Sequence, residues 1–281
     1  MEWLDAFILG LVQGLAEYLP ISSSGHLEIF REILGINIPK DEILQFDIMV
    51  HAATVCSTIV ILWPMFRRLC ASFFTFKRDA DFWYVCKILL SCIPVGIVGV
   101  FFKEYVESFF GDGLKVVGVC LLVTAALLAF AHYSDRLASG RMAKASAGHP
   151  ITWLDAFIIG CAQAVAVLPG LSRSGTTIAT GILLGDRRDD VAQFSFLMVI
   201  IPILGEALLD VKDMLGETVA QTAQAAEVTW ITLLIGFVTA FVVGCAACKW
   251  MLALVKKGKL VWFSIYCVVM AIICLLWQTP A

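Results

Sequence analysis

The hexapeptide WLDAFI occurs twice, at residues 3–8 and 153–158. At the same offset of 150, without a gap, Gly10 matches Gly160, Gln13 matches Gln163 and Ala16 matches Ala166. The register continues through Ser22 and Ser172, Ser24 and Ser174, and Gly25 and Gly175. Coincidence in a biased apolar chain does not place Trp, Asp, Gln and Ser in one register. The chain is a duplicated unit, and its fold must accommodate two copies.

The solvent for that fold follows from composition. Of 281 residues, 60% are apolar and 15% charged, and the mean hydropathy is +0.90. A soluble domain averages roughly 45–50% apolar and 25% charged. A soluble enzyme, a nucleic-acid binder and a disordered chain are therefore poor fits. The net charge of −3 and pI near 5.8 say little about partners, because the charges cluster between apolar runs. Runs near the roughly 20 residues needed to cross a bilayer lie at about 46–66, 84–102, 116–133, 191–209, 229–248 and 261–277. The stretches 3–19 and 153–168 are shorter, carry polar residues and run into Ser/Gly clusters, the pattern of a re-entrant segment. Residues 177–185 supply the second limb of the second hairpin.

Charge between the runs sets an orientation. Arg67, Arg68, Lys77 and Arg78, then Arg136, Arg141 and Lys144, then Lys249, Lys256, Lys257 and Lys259 mark cytoplasmic segments. Acidic segments with Glu104, Glu107 and Asp112, and with Asp210, Asp213, Glu217 and Glu227, fall outside. Three spans then separate the two copies, and an odd number inverts the second. The expected fold is an all-α integral membrane protein with six transmembrane helices and two re-entrant helical hairpins in an inverted-topology repeat. One membrane domain covers 1–281: repeat one is 1–133 with hairpin 3–30, repeat two is 150–281 with hairpin 153–185. Such pairs build polar sites near the midplane. The first apolar stretch follows Glu2 and Asp5 rather than a basic segment, so no cleavable signal peptide is expected.

The polar residues concentrate in the hairpins. The first reads QGLAEYLPISSSGH at 13–26, in which Gln13 and Glu17 share a helix face and Pro20 ends the helix. Ser22, Ser23 and Ser24 offer hydroxyls and free N–H groups at the next helix start, a natural anion site, with His26 on the same face. The second reads LPGLSRSGTT at 168–177, where Ser172, Ser174, Thr176 and Thr177 surround Arg173. An Arg at membrane depth costs about 2.5–3.5 kcal/mol and calls for a partner or an anionic ligand. Its planar fork suits phosphate. Taken singly these features have plainer explanations, such as close helix packing for the small residues or simple Glu17–Arg173 neutralisation. Together they suit a phosphate-bearing ligand held in the membrane.

Other residues read more plainly. Asp5 and Asp155 favour their helix N-termini, Lys87 snorkels, and His51, in a span just after the outer segment, reads as a packing residue with lining the pocket as the alternative. His132 and His149 flank a cytoplasmic loop as solvated side chains, and Glu206 has no assigned role. Cys245 and Cys248 form a C-x-x-C without a second pair, so they read as packing residues.

At QGLAEYLPISSSGH and PGLSRSGTT the sequence resembles the undecaprenyl-pyrophosphate phosphatases, the bacitracin-resistance membrane phosphatases. Weaker likeness extends through QFDIMVH at 45–51 and QFSFLMVIIPILG at 193–205. The resemblance implies hydrolysis of undecaprenyl diphosphate to undecaprenyl phosphate and orthophosphate, recycling the lipid carrier of peptidoglycan synthesis. It places the protein in the bacterial cytoplasmic membrane with its site open to the outer side. Carried over to this chain, the catalytic set is Glu17, Ser23, His26 and Arg173. The substrate-binding set is Gln13, Ser22, Ser24, Gly25, Gly170, Ser172, Ser174, Gly175 and Thr177. Many members carry Glu where Gln13 stands, which weakens a mechanism needing two carboxylates here. The resemblance also implies an assisting divalent cation, Mg²⁺ or Ca²⁺, for which the residues show no dedicated cage, and no organic cofactor. Expected partners are undecaprenyl diphosphate, membrane lipid and a second copy in a homodimer, with no nucleic acid.

Two mechanisms remain open at this level: attack by Ser23 with His26 as base and Glu17 orienting or tuning His26, or direct attack by water with His26 as base and Ser23 only positioning the phosphate. A transporter or flippase of a phosphorylated lipid or small anion is the alternative function, since inverted repeats with broken helices are common in transporters.

Overall fold

The structure is a computed structural model that describes the chain apart from residues 37, 103, 104, 107, 109–112, 142–147, 218–227 and 278–281. The side chains of residues 40, 41, 135–141 and 210–217 also lie outside the described set. The orientation residues Glu104, Glu107, Asp112, Arg136, Arg141, Lys144, Asp210, Asp213, Glu217 and Glu227 therefore fall outside it, wholly or in their side chains.

The described chain is helical. The first half comprises α1 (Trp3–Ala16), α2 (Ser23–Leu34), α3 (Lys40–Ile61), α4 (Trp63–Phe74), α5 (Ala80–Phe101) and α6 (Leu114–Arg141). The second comprises α7 (Trp153–Val165), α8 (Arg173–Leu184), α9 (Arg188–Met198), α10 (Ile200–Glu217), α11 (Trp230–Lys256) and α12 (Val261–Leu276). The duplication is visible in the caps. Ser22 and Ser172 each accept a hydrogen bond from the backbone N–H three residues on, at Gly25 (3.3 Å) and Gly175 (3.0 Å). Left-handed Gly35 (φ 64°) and Gly185 (φ 89°) end α2 and α8. Asp5 accepts from the Glu2 N–H at 2.9 Å and Asp155 from the Thr152 N–H at 2.8 Å, so both stabilise helix starts as expected.

Among the described residues, five segments are long and apolar enough to cross a membrane: Glu42–Ile61, Ala80–Phe101, Leu114–Ser134, Arg188–Leu209 and Trp230–Lys256. The expected sixth span at 261–277 is α12, a 16-residue apolar helix about 24 Å long at 1.5 Å per residue. In α5 the outward positions Ile93, Ile97 and Val100 are exposed while Ile88, Ser91 and Val95 are buried. A continuous outward face of large apolar side chains is what a helix in lipid presents.

Two boundaries differ from the sequence reading, each for a proline reason. The 67–82 segment, expected as a loop, is helical to Phe74, because Pro64 cannot bond back to Val60 and restarts the chain as α4. The 191–209 run is two helices broken at Val199. Pro202 lacks the N–H that would reach the Met198 carbonyl, and the Cys92 thiol donates to that carbonyl instead at 3.5 Å.

The halves interlock. Helix α1 packs along α11 and α7 along α5, while α6 packs on α12, so each hairpin is held by the other half. Contact is at backbone distance: a Cβ on Gly160 would lie 2.4 Å from the Ser91 carbonyl oxygen. We expect Gly160→Ala to separate α7 from α5 and cost about 1–3 kcal/mol, the scale of overpacking a close contact. Thermal unfolding in detergent checks this; an unchanged midpoint would show that the α5–α7 contact yields freely.

Candidate active site

The two hairpin tips meet. A Cβ on Gly25 would stand 3.0 Å from Gly170 Cα, and one on Gly175 would stand 3.1 Å from Pro20 Cβ. The Ser174 hydroxyl donates to the Leu19 carbonyl across the tips at 3.2 Å. Gly170 turns the second tip at φ +88° with its Cα face 2.6 Å, measured from a built Cβ, from the Val117 carbonyl oxygen of α6. Gly25, Gly170 and Gly175 are thus places of close approach between chain segments. The second tip is further tied to α6 by Thr124, whose hydroxyl accepts from the Ser172 N–H at 3.1 Å. Thr124 lies in an apolar run and carries no local sequence signal for this role.

Glu17 sits directly after α1, with its carboxylate 7% exposed. Its Oε2 accepts from Gln13 Nε2 at 3.0 Å and from the Ser23 hydroxyl at 2.7 Å. Arg173 Nη2 lies 3.6 Å from Oε1, and Nη1 lies 3.9 Å from the exposed Glu206. Arg173 is neutralised at a distance rather than locked in a short bidentate pair, which leaves its fork available to an anion. Glu206, unassigned in the sequence, is its second counter-charge. His51 Nε2 stands 3.8 Å from Glu17 Oε2, so this side chain faces the site rather than only packing in α3.

His26 is arranged differently from the expectation that it serves Ser23. Its Nδ1 bonds the Ser22 carbonyl at 2.8 Å, one turn back, and its Nε2 meets the Tyr266 hydroxyl at 2.8 Å. A carbonyl only accepts, so Nδ1 carries the proton and Nε2 accepts from Tyr266. The ring also stacks on Tyr266, with centroids 5.6 Å apart. Sharing a helix face with Ser23 did not bring them together, because the imidazole folds back on its own turn. Glu17, not His26, is the group hydrogen-bonded to Ser23.

The cavity beside Glu17 and Arg173 is lined by Tyr18, Thr54, Val55 and Thr58 from the first half. Gln163, Ser174, Thr177, Ser195, Phe196, Val199 and Ile203 line it from the second. Tyr18 anchors the first tip to α3 by donating to the Thr54 carbonyl at 2.6 Å. The Thr177 hydroxyl donates to the Arg173 carbonyl at 2.9 Å, so it shapes the helix start. Ser22 and Ser24 hydroxyls lie 3.4 Å apart and Ser172 and Ser174 hydroxyls 3.3 Å apart, one pair at each tip. Gln163 is buried, and neither side-chain atom meets a partner among the described residues. The Ser195 hydroxyl is in the same state. Both point to a polar guest in this cavity. The offset from Gln13 marked Gln163 as a repeat match, but only its position on the cavity wall marks it as functional.

These donors also test the implied divalent cation. Both Glu17 oxygens already face N–H or O–H donors, from Gln13, Ser23 and Arg173. A hard cation wants oxygen ligands in number, and this donor-rich surround does not fit a protein-held ion.

The comparisons with known proteins now bear on the chain as a whole. The family model of the bacitracin resistance protein BacA matches residues 6–273. The chain belongs to this family. The match begins inside α1 and ends inside α12, so both hairpin tips and nearly all of the helices that hold them lie within it. The undecaprenyl-diphosphatase of Bacteroides thetaiotaomicron is 56% identical over 270 residues, 96% of each chain. That of Parabacteroides distasonis is 55% identical over 274 residues, 97% of each. A more distant relative, the undecaprenyl-diphosphatase of Carboxydothermus hydrogenoformans, is 36% identical over 286 aligned positions, 99% of this chain and 98% of its own. With five long apolar segments among the described residues and this family membership, the protein is a multi-pass membrane protein.

Proposed function

We infer that this chain hydrolyses undecaprenyl diphosphate to undecaprenyl phosphate and orthophosphate, and so serves bacitracin resistance and lipid-carrier recycling. Full-length similarity to undecaprenyl-diphosphatases supports the substrate. The observation that carries the chemistry is the Ser23 hydroxyl donating to Glu17 at 2.7 Å within reach of Arg173. We read Ser23 as the nucleophile. Glu17 takes the hydroxyl proton as Oγ attacks the terminal phosphorus, and the P–O bond to the bridging oxygen breaks to release the prenyl phosphate. Water then attacks the phosphorus of the phosphoserine, the P–Oγ bond breaks, Glu17 gives its proton back to Ser23 Oγ, and the water's oxygen and hydrogens leave as orthophosphate. Arg173 and the N–H groups at the starts of α2 and α8 hold the equatorial oxygens, where transition-state charge is spread. Gln163 and Ser195 offer further hydrogen bonds from the cavity wall.

The finer topology belongs to the same reading: six spans, two re-entrant hairpins inverted relative to one another, and a site open to the outer face of the bacterial cytoplasmic membrane. The charge pattern between the apolar runs supports it. A divalent cation, in this reading, reaches the site on the diphosphate oxygens rather than on a protein cage. The homodimer remains part of the same proposal. Phosphate release from a prenyl diphosphate by the purified protein in detergent tests the function. No release with or without Mg²⁺ or Ca²⁺ would leave binding or transport as the use of the pocket.

His26 and Tyr266 act in this scheme as supports for α2. Tyr266→Phe is expected to cost about 1 kcal/mol of stability, the net worth of one hydrogen bond, with phosphate release within about threefold of the parent. A 100-fold loss of release would place that pair in the chemistry instead.

A further inference from the structure

The second hairpin differs from the first at its base. His149 precedes α7, Asp155 lies in its first turn, and Asp186 follows α8, so the three residues bracket the two ends of one hairpin. The backbone zips these ends together: the His149 N–H donates to the Gly185 carbonyl at 3.1 Å, and the Arg187 N–H donates to the His149 carbonyl at 2.9 Å. Their side chains converge as well. His149 Nδ1 is 3.2 Å from Asp186 Oδ1 and 3.8 Å from Asp155 Oδ2, and one ligand atom from each residue lies within 4.8 Å of the others.

The Asp186 carboxylate is fully buried, and neither oxygen has a hydrogen-bond partner among the described residues. Such a group is costly without a compensating cation. The His149 Nε2 lies 3.2 Å from the Leu184 carbonyl. Its Nδ1 faces the Pro150 carbonyl at 3.2 Å as well as the two carboxylates; with a proton kept on Nε2, a metal ion would take the Nδ1 lone pair and displace the proton held there. His149 is 48% exposed on its outer side, which leaves a path from solvent.

The duplication supplies an internal comparison. Asp5, the counterpart of Asp155, accepts from the Glu2 N–H, and the residue 150 positions before Asp186 is Ile36. Among the described residues, an imidazole and two carboxylates converge at the base of the second copy and not of the first. We propose that His149, Asp155 and Asp186 form a divalent transition-metal site, of the Zn²⁺ class, that staples the base of the second hairpin. One nitrogen and two carboxylates with an open position suit Zn²⁺, whose bonds of about 2.0–2.2 Å require these atoms to draw together modestly. The site lies outside the Glu17–Ser23–Arg173 cluster and does not rest on the proposed hydrolysis.

The test is titration of the chelator-stripped, full-length protein in detergent with Zn²⁺ alone, read by calorimetry and by thermal midpoint. One Zn²⁺ per chain and a raised midpoint are expected, with binding at least tenfold weaker in His149→Ala and in Asp186→Asn. The His149 variant keeps the test valid if the buried Asp186 change impairs folding. Co²⁺ substituted for Zn²⁺ is expected to give a spectrum of nitrogen and oxygen ligation without a thiolate charge-transfer band. Absence of stoichiometric binding would overturn the site, and so would undiminished binding in both variants. A thiolate band, marking capture by the ten free cysteines, would overturn it equally. Phosphate release by both variants is expected to stay within about twofold of the parent, which separates a hairpin staple from a metal used in the chemistry.

Discussion

Arg173→Ala is expected to lower phosphate release from a prenyl diphosphate by about 10³-fold, the scale of removing a preorganised donor from developing charge. The guanidinium lies 3.6 Å from Glu17 and 3.9 Å from Glu206, so neither carboxylate holds it in a short pair. A diphosphate offers closer, bidentate contact, and the charge on its oxygens grows in the transition state. The loss should therefore fall mainly on kcat, with a smaller rise in KM. Arg173→Lys keeps the charge but not the fork, and is expected to recover less than about a tenth of the lost rate. Steady-state release of phosphate checks both variants. A fall of less than tenfold in Arg173→Ala would mean that the residue only neutralises Glu17.

Ser23→Ala and Glu17→Gln are each expected to reduce kcat by about 10⁴-fold, and the double variant by little more than either alone. Residues that act as one unit show this non-additivity. The basis is the 2.7 Å hydrogen bond between them, the geometry of a nucleophile with its base. Glu17→Gln retains size and an acceptor while losing the basic oxygen. Rapid quenching of the parent with labelled substrate should trap phosphate on Ser23. If Ser23→Ala loses less than tenfold and no phosphoserine is trapped, water is the attacking group and Ser23 positions the phosphate. If the two single losses multiply in the double variant, Glu17 and Ser23 serve separate steps.

Much of this was legible along the chain, because the relevant rules are local. Paired WLDAFI segments, polar residues at a fixed offset of 150, and serines three residues before glycines established the duplication, the hairpins and their caps. Helix periodicity and apolar run length marked the helices in lipid, since a chain that cannot satisfy its backbone with water must do so within itself. Spacing also placed Gln13 and Glu17 on one face, and the Gln13–Glu17 hydrogen bond is there at 3.0 Å.

Partner choice was not legible. Spacing put His26 near Ser23, yet the imidazole folded back to the Ser22 carbonyl and out to Tyr266, 240 residues away. Ser23 met Glu17 because the turn at 17–22 returns the chain on itself, and turn geometry is not encoded by helix periodicity. Thr124 joined the site from an apolar run without a local mark, Gln163 was marked only as a repeat match, and Asp186 met His149 and Asp155 only when the hairpin closed. The sequence by itself determined which segments become helices and which carry polar groups, because both follow from neighbours within a turn or two. Tertiary structure alone decided which polar groups satisfy one another, because in a medium without water each must find its partner wherever packing brings one.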